Sequence, residues 1–240
     1  MSSRSTSRIS LAIALALLAG SAAQAATTIG RDRSGSTPLV LDQNTDYILR
    51  GVSITNVRDA SALTISGRIS SVIMHNSTFG QVTATAPAQA MALQTSGASI
   101  STFKATECTF FDAETQLVSF KDSSFGTVTF EHCKFRNSDA FVKSIQEKQP
   151  WRNSPPVTEF ANIERLELLD NDFSNTLIVI APTVKQVILR GDITGIFVQD
   201  PSTQVLVLPA RPAPGTVTAT ADASSVIGQA ILSVLARREW

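Results

Sequence analysis

The sequence predicts an all-β fold, a single-stranded right-handed parallel β-helix (a β-solenoid) with a short C-terminal α-helix. Three observations predict it. The first is a repeated spacing, clearest in Phe125, Val128, Phe130, Cys133 and Phe135: an apolar residue, two spacers, apolar, one spacer, apolar, two spacers, a small or polar residue, one spacer, Phe. The same frame fits Ile69, Val72, Met74, Ser77 and Phe79, then Ile100, Phe103, Ala105, Cys108 and Phe110. It returns at Ile163, Leu166, Leu168, Asn171 and Phe173, and more weakly at Val184, Val187, Leu189, Asp192 and Thr194. Five copies of one spacing in 240 residues are a repeat architecture. The second observation is composition. Phe, Val, Ile and Thr fill the apolar slots, and the returning runs Leu117–Phe120 and Leu177–Ile180 are short, β-branched and aromatic, which suits strands. The third is interval. Successive starts lie 31, 25, 38 and 21 residues apart, too irregular for leucine-rich repeats, whose consensus Ile163 to Phe173 would otherwise pass.

Taken in order, residues 1–25 read as a secretory signal peptide. Arg4 and Arg8 form a basic start, Ile9 to Leu18 an apolar core, and Ala23-Gln24-Ala25 a small-residue cleavage site. The apolar run is too short for a membrane span and no later stretch reaches that length, so a soluble periplasmic or secreted bacterial protein is expected. Residues 26–208 form the solenoid. Pro38–Leu41 and Tyr47 to Ile54 are expected as early strands, the first covering an open end of the core. The shorter intervals give the length of a plain coil, so the long one between Phe125 and Ile163 holds an insertion. Its prolines place that insertion at Gln146 to Val157, and a smaller excursion falls near Val82 to Gln89. Residues 209–222 are a Pro-rich connector and 223–240 an amphipathic helix, with Val226, Ile227, Ala230, Ile231, Val234 and Leu235 at helical spacing. That helix suits covering an open edge of the solenoid or contacting a partner protein.

Alternation sets the core. Val128 and Phe130 point inward while Thr129 and Glu131 point out, and Phe79, Phe110, Phe135 and Phe173 form a stacked aromatic column. Asn76, Glu107, His132 and Asp170 share another column, with Thr106 and Glu131 in the next. Cys108 and Cys133 occupy the same slot one coil apart, so they read either as stacked buried thiols or as a disulfide, which an exported protein permits. Charge excludes one class of partner. Loss of the leader leaves 18 basic against 20 acidic residues, with no electrostatic footprint for nucleic acid.

The stretch Leu166-Glu167-Leu168-Leu169-Asp170-Asn171-Asp172-Phe173 resembles the apolar-x-apolar-x-x-Asn-x-Phe turns of the pectate-lyase-like β-helix superfamily. The resemblance covers roughly residues 60–200 and implies coil shape, with Asn171 as an inward asparagine at a turn. Were the chain a lyase, it would also imply carboxylates holding Ca²⁺ and an Arg or Lys as base. Glu107, Glu131, Asp170 and Asp172 lie near one turn, with Lys104, Lys134, Arg136 and Lys143 on nearby outward positions, but none matches a lyase motif residue by residue. Nucleophile-elbow, zinc-helix and phosphate-loop motifs are absent. The expectation is therefore a non-catalytic protein that binds a surface or cell-wall polysaccharide and needs no cofactor. Its ligand-binding residues are expected to be Trp151 and Arg152 in the insertion, with Lys143, Lys134, Arg136, Glu131 and His132 beside them. A polysaccharide lyase or hydrolase of the same fold is the rival, and a structural component of the envelope is a third reading.

Overall fold

The computed structural model describes residues 25–85, 90–148 and 157–211. Within them the chain is all-β apart from a short 3₁₀ turn at Arg31–Arg33 and one α-helix, and nearly every strand pairs in parallel. The strands fall into three runs that recur along the chain. One run holds β2 (Leu39–Leu41), the first half of β5 (Leu63–His75), of β7 (Met91–Thr106) and of β9 (Gln116–Glu131), then β11 (Val157–Phe160), β13 (Leu177–Ile180) and β15 (Ile196–Val198). The second holds β1 (Thr27–Ile29), β3 (Tyr47–Arg50), the second halves of β5, β7 and β9, then β12 (Ile163–Leu169), β14 (Gln186–Arg190) and β16 (Gln204–Val207). Together these make one strongly curled sheet of 12 strands. The third run is a separate four-stranded sheet of β4 (Ser53–Arg58), β6 (Thr78–Thr83), β8 (Thr109–Ala113) and β10 (Lys134–Arg136). This order is compatible with a solenoid.

Register carries the repeat. Thr27, Tyr47, Val72, Phe103, Val128, Leu166, Val187 and Val205 pair in one row, which follows the sequence frame and extends it by two repeats before it and one after. Two residues on, Leu49, Met74, Ala105, Phe130, Leu168 and Leu189 form a second inward row, none more than 4% exposed. The copy that begins at Tyr47 and Leu49 is one that the sequence frame does not capture. Here Tyr47 to Ile54 is not one strand. Gly51, at φ 64°, turns the corner between β3 and β4.

That corner recurs. Asn76, Glu107, His132 and Asp170 have φ of 47°, 55°, 54° and 54°, and Gly191 closes the column at 91°. The left-handed conformation swings the chain from the second run into the third, at a steric cost for residues with a Cβ. Backbone pairing continues through the bend. The N–H groups of Gly51, Asn76, Glu107, His132 and Asp170 donate to the carbonyls of His75, Thr106, Glu131, Leu169 and Arg190 at 2.7–3.0 Å.

Just past the corner, Ser77, Cys108, Cys133 and Asn171 turn inward and are at most 5% exposed. Asn171 accepts the Cys133 N–H at 2.8 Å on Oδ1 and donates from Nδ2 to the Phe130 carbonyl at 3.0 Å, while Ser77 Oγ accepts the Val52 N–H at 3.2 Å. The aromatic column follows, with centroid spacings of 6.0 Å (Phe79–Phe110), 5.3 Å (Phe110–Phe135) and 5.4 Å (Phe135–Phe173). Each buried ring removes roughly 150–250 Å² from water, or roughly 4–6 kcal/mol of gross transfer free energy.

The interval between Phe125 and Ile163 departs from expectation. The chain leaves the sheet after β10, at Asn137 rather than Gln146, and Asp139–Lys148 forms helix α1. Ser138 caps it, since its Oγ accepts the Phe141 N–H at 3.3 Å. Ile145, 3% exposed, is its buried anchor. Residues 86–89 and 149–156, within the two expected excursions, lie outside the described residues, as do the leader to residue 24, most of the connector and the expected C-terminal helix.

Candidate functional site

Alternation that buries one side of the second run presents the other side outward, one residue per repeat. The first outward row is Thr102, Thr127, Arg165, Gln186 and Gln204. The next is Lys104, Thr129, Glu167, Ile188 and Leu206, of which Thr129 and Ile188 are covered by their neighbours and only 8% and 6% exposed. The third is His75, Thr106, Glu131, Leu169 and Arg190. Parallel strands lie roughly 4.8 Å apart, so hydroxyl, amide and charged groups are spaced as a ladder along the stack. Some rungs are tied together. Arg165 Nε donates to Glu167 Oε1 at 2.7 Å, Thr129 Oγ1 donates to Glu167 Oε2 at 3.0 Å, and Gln186 Nε2 donates to Gln204 Oε1 at 3.4 Å.

A charge network stands where the ladder meets the corner. Arg190 places Nη2 2.8 Å from Asp170 Oδ2 and 3.7 Å from Glu131 Oε1, and Lys104 Nζ lies 3.4 Å from the other Glu131 oxygen. Arg190, Glu131 and Asp170 keep only 18–22% of their side chains exposed, and Lys104 keeps 46%. Two carboxylates and two cations balance. An acidic ligand would have to displace Asp170 or Glu131 from Arg190, whereas a hydroxyl-rich ligand can use the remaining lone pairs and N–H groups without breaking a pair. A more exposed pair, His75 Nε2 to Glu107 Oε2 at 3.7 Å, sits at the next repeat of the corner.

The structure divides the residues that the sequence places in one site. Glu131 belongs to the charge network. His132 is the corner residue beside it and is exposed. Lys134 and Arg136 point outward from β10 on the four-stranded sheet, around the corner from Glu131. Lys143 is exposed on α1, whose start is tied to the next repeat by Asn175 Nδ2 donating to Asp139 Oδ1 at 2.6 Å. Trp151 and Arg152 lie outside the described residues. Arg190 and Arg165 were missed by sequence reasoning. Extending the frame through its weakest copy, Val187 and Leu189, would have set Arg190 in register with Glu131.

Cys108 and Cys133 are free thiols in adjacent repeats, 0% and 1% exposed. Cys133 Sγ lies 3.4 Å from the Ala105 carbonyl oxygen. Burial and the neighbouring Cys108 sulfur push the Cys133 thiol far above the ordinary range, so it stays protonated and unreactive at neutral pH.

An open recess of about 320 Å³ lies beyond the aromatic column, lined by Asp172, Ser174, Asn175, Asp192 and Thr194 among others. The Thr194 hydroxyl and N–H hold the Asp192 carboxyl below the usual carboxylate value. Among the described residues, no group of three or more His, Cys, Asp or Glu side chains is placed to hold a metal ion. No helix among them is long and apolar enough to cross a membrane.

In comparison with known proteins, no family model, no curated protein and no solved structure matches the chain.

Proposed function

We propose that the chain is an exported right-handed β-helix that binds an extended, hydroxyl-rich polysaccharide along its outward ladder and does not cleave it. The carrying observation is the first row of the ladder: Thr102, Thr127, Arg165, Gln186 and Gln204 repeat at one strand spacing over five successive repeats, with Lys104 and Glu167 in the row beside them. A polymer with its own repeat can pair with such a surface several times over, and the weak contacts then add through one chain. The secretory leader pattern supports export to the periplasm or the medium. Pairing of every network cation with a carboxylate favours a neutral over a strongly acidic polymer. Trp151, which lies outside the described residues, is the aromatic that the sequence offers to stack on a sugar ring.

The test is a glycan screen on the mature chain, read both for retention and for new reducing or unsaturated ends. Retention without new ends is the expected result. Arg165→Ala with Gln186→Ala should then weaken retention about tenfold while the unfolding midpoint stays put, since truncating an anchoring contact costs about 1–2 kcal/mol. New ends would establish the rival lyase or hydrolase reading, with Glu131 and Asp170 as the first carboxylates to replace. No retention on any glycan would end both.

A further inference from the structure

We infer that residues 223–238 of this same chain dock on the last repeat, formed by β15 and β16, and close the core there. The two ends of the stack differ. At the first repeat little apolar surface is left open: Leu39 and Leu41 of the terminal strand β2 are 3% and 0% exposed, and the terminal strand β1, which pairs Thr27 with Tyr47 and Ile29 with Leu49, brings one apolar core side chain, the partly exposed Ile29. At the last repeat four are left open. Val205 and Val207 are in register with Val187 and Leu189, and Ile196 and Val198 with Ile178 and Ile180. The four inner residues are 0–4% exposed, whereas the four outer ones pack on the core yet stay partly exposed. Among the described residues β16 pairs only with β14 and β15 only with β13, so both strands end the sheet with an open edge.

Where the chain goes decides what covers this end. It leaves from the rim of the same repeat, where the Leu208 N–H donates to the Leu189 carbonyl at 2.8 Å. Residues 209–222 then lead to Val226, Ile227, Ala230, Ile231, Val234 and Leu235, which fall on one apolar stripe at helical spacing. Sixteen residues of helix measure about 24 Å. The three and four residues of β15 and β16 measure about 10 and 13 Å. One helix is therefore long enough to lie over both. Tethering also favours this occupant. A linker of this length holds its segment at an effective concentration of about a millimolar, whereas a second copy or another protein competes only at its bulk concentration.

The experiment is amide hydrogen exchange on the unmodified mature chain at two concentrations about twentyfold apart, with the mass in solution measured alongside. Expected are a monomer and Gln204–Val207 amides protected about a hundredfold or more, equally at both concentrations. Ile231→Asp with Val234→Asp should cut that protection at least about tenfold while leaving exchange within Ser99–Glu131 unchanged, and Ile231→Leu with Val234→Ile should keep it. Unprotected β16 amides in the unmodified chain would overturn the assignment. So would protection that grows with concentration in a dimer, which gives the face to a second copy, or protection that survives the aspartates. Should the aspartate pair unfold the chain, the concentration series and the conservative pair still decide.

Discussion

Phe130→Ala should be among the most damaging single truncations in the chain. The side chain is fully buried, and its ring is walled by five others: Phe135 at 5.1 Å, Phe103 at 5.4 Å, Phe160 at 5.5 Å, Phe110 at 5.8 Å and Phe120 at 6.1 Å between centroids. These neighbours belong to three successive repeats, each fixed by its own backbone ladder, so they cannot collapse into the hole. Phe→Ala in a core costs about 3–5 kcal/mol, and aromatic pairs add about 0.5–1.5 kcal/mol beyond buried area. A rigid wall of rings places Phe130 near the top, about 4–5 kcal/mol, a large share of a typical total of about 5–15 kcal/mol. Phe173 supplies the internal control, because it is only half-buried and has Phe135 as its ring neighbour at 5.4 Å. Its truncation should cost about 1–2 kcal/mol, closer to the burial of part of one side chain. The assay is equilibrium urea unfolding of residues 26–240 under reductant, followed by circular dichroism at two protein concentrations. A Phe130→Ala cost below about 2 kcal/mol, under the range for a buried ring, would refute the inward register of the second run. So would a cost no larger than that of Phe173→Ala.

Three further outcomes follow from the corner and its inward column. Asn171→Ala should cost about 2–3 kcal/mol in the same urea assay, because it strands the buried Cys133 N–H and Phe130 carbonyl. Glu107→Gly should be neutral or slightly stabilising and Glu107→Val should cost about 1–2 kcal/mol, since φ 55° suits glycine and strains a β-branched residue. Cys108 and Cys133 should react with a thiol reagent only after unfolding, when titration should find two thiols. The folded Cys133 pKa lies above its unfolded value, so its contribution is complete below about pH 8.5 and is lost as pH rises beyond it, by up to about 1.4 kcal/mol per pH unit. Replacing both Cys108 and Cys133 with alanine should flatten that alkaline decline in a pH series of unfolding midpoints, since Cys108 alone would remain a buried thiol that desolvation pushes up.

The parallel stack was legible because register in a parallel sheet is a one-dimensional quantity that sequence intervals record directly. Starts at Ile69, Ile100, Phe125, Ile163 and Val184 are separated by the same intervals as the paired rows Val72, Phe103, Val128, Leu166 and Val187. The inward slot of Ser77, Cys108, Cys133 and Asn171 was legible for the same reason, and so was the corner column, where each residue needs only to tolerate a left-handed turn. The copy at Tyr47 was hidden because Ile54 stands where later copies have Phe, and no apolar residue opens it. Helix α1 was hidden because the prolines after Pro150 drew the excursion toward residues 146–157. Ser138 as a cap, with Phe141, Val142 and Ile145 following, was the signal available.

The site was less legible, and the reason is geometric. Glu131, Lys134 and Arg136 are close in sequence, which suggests one charged patch. A single left-handed residue, His132, turns the chain between Glu131 and Lys134, so the acid faces out from one sheet and the two cations from another. Proximity along the chain therefore misleads wherever the parallel stack bends, whereas proximity across repeats does not. Arg190, two repeats beyond Glu131 in the same outward row, is the cation that reaches it, together with Lys104 from the repeat before. Such pairings become readable only once every copy is aligned, including the fifth, whose inward polar slot and aromatic slot carry Asp192 and Thr194 in place of Asn and Phe. On a surface built this way, the chemistry at one point is set by groups from successive repeats that are far apart in sequence, and the ladder along the stack, rather than any contiguous motif, is the unit that the surface presents.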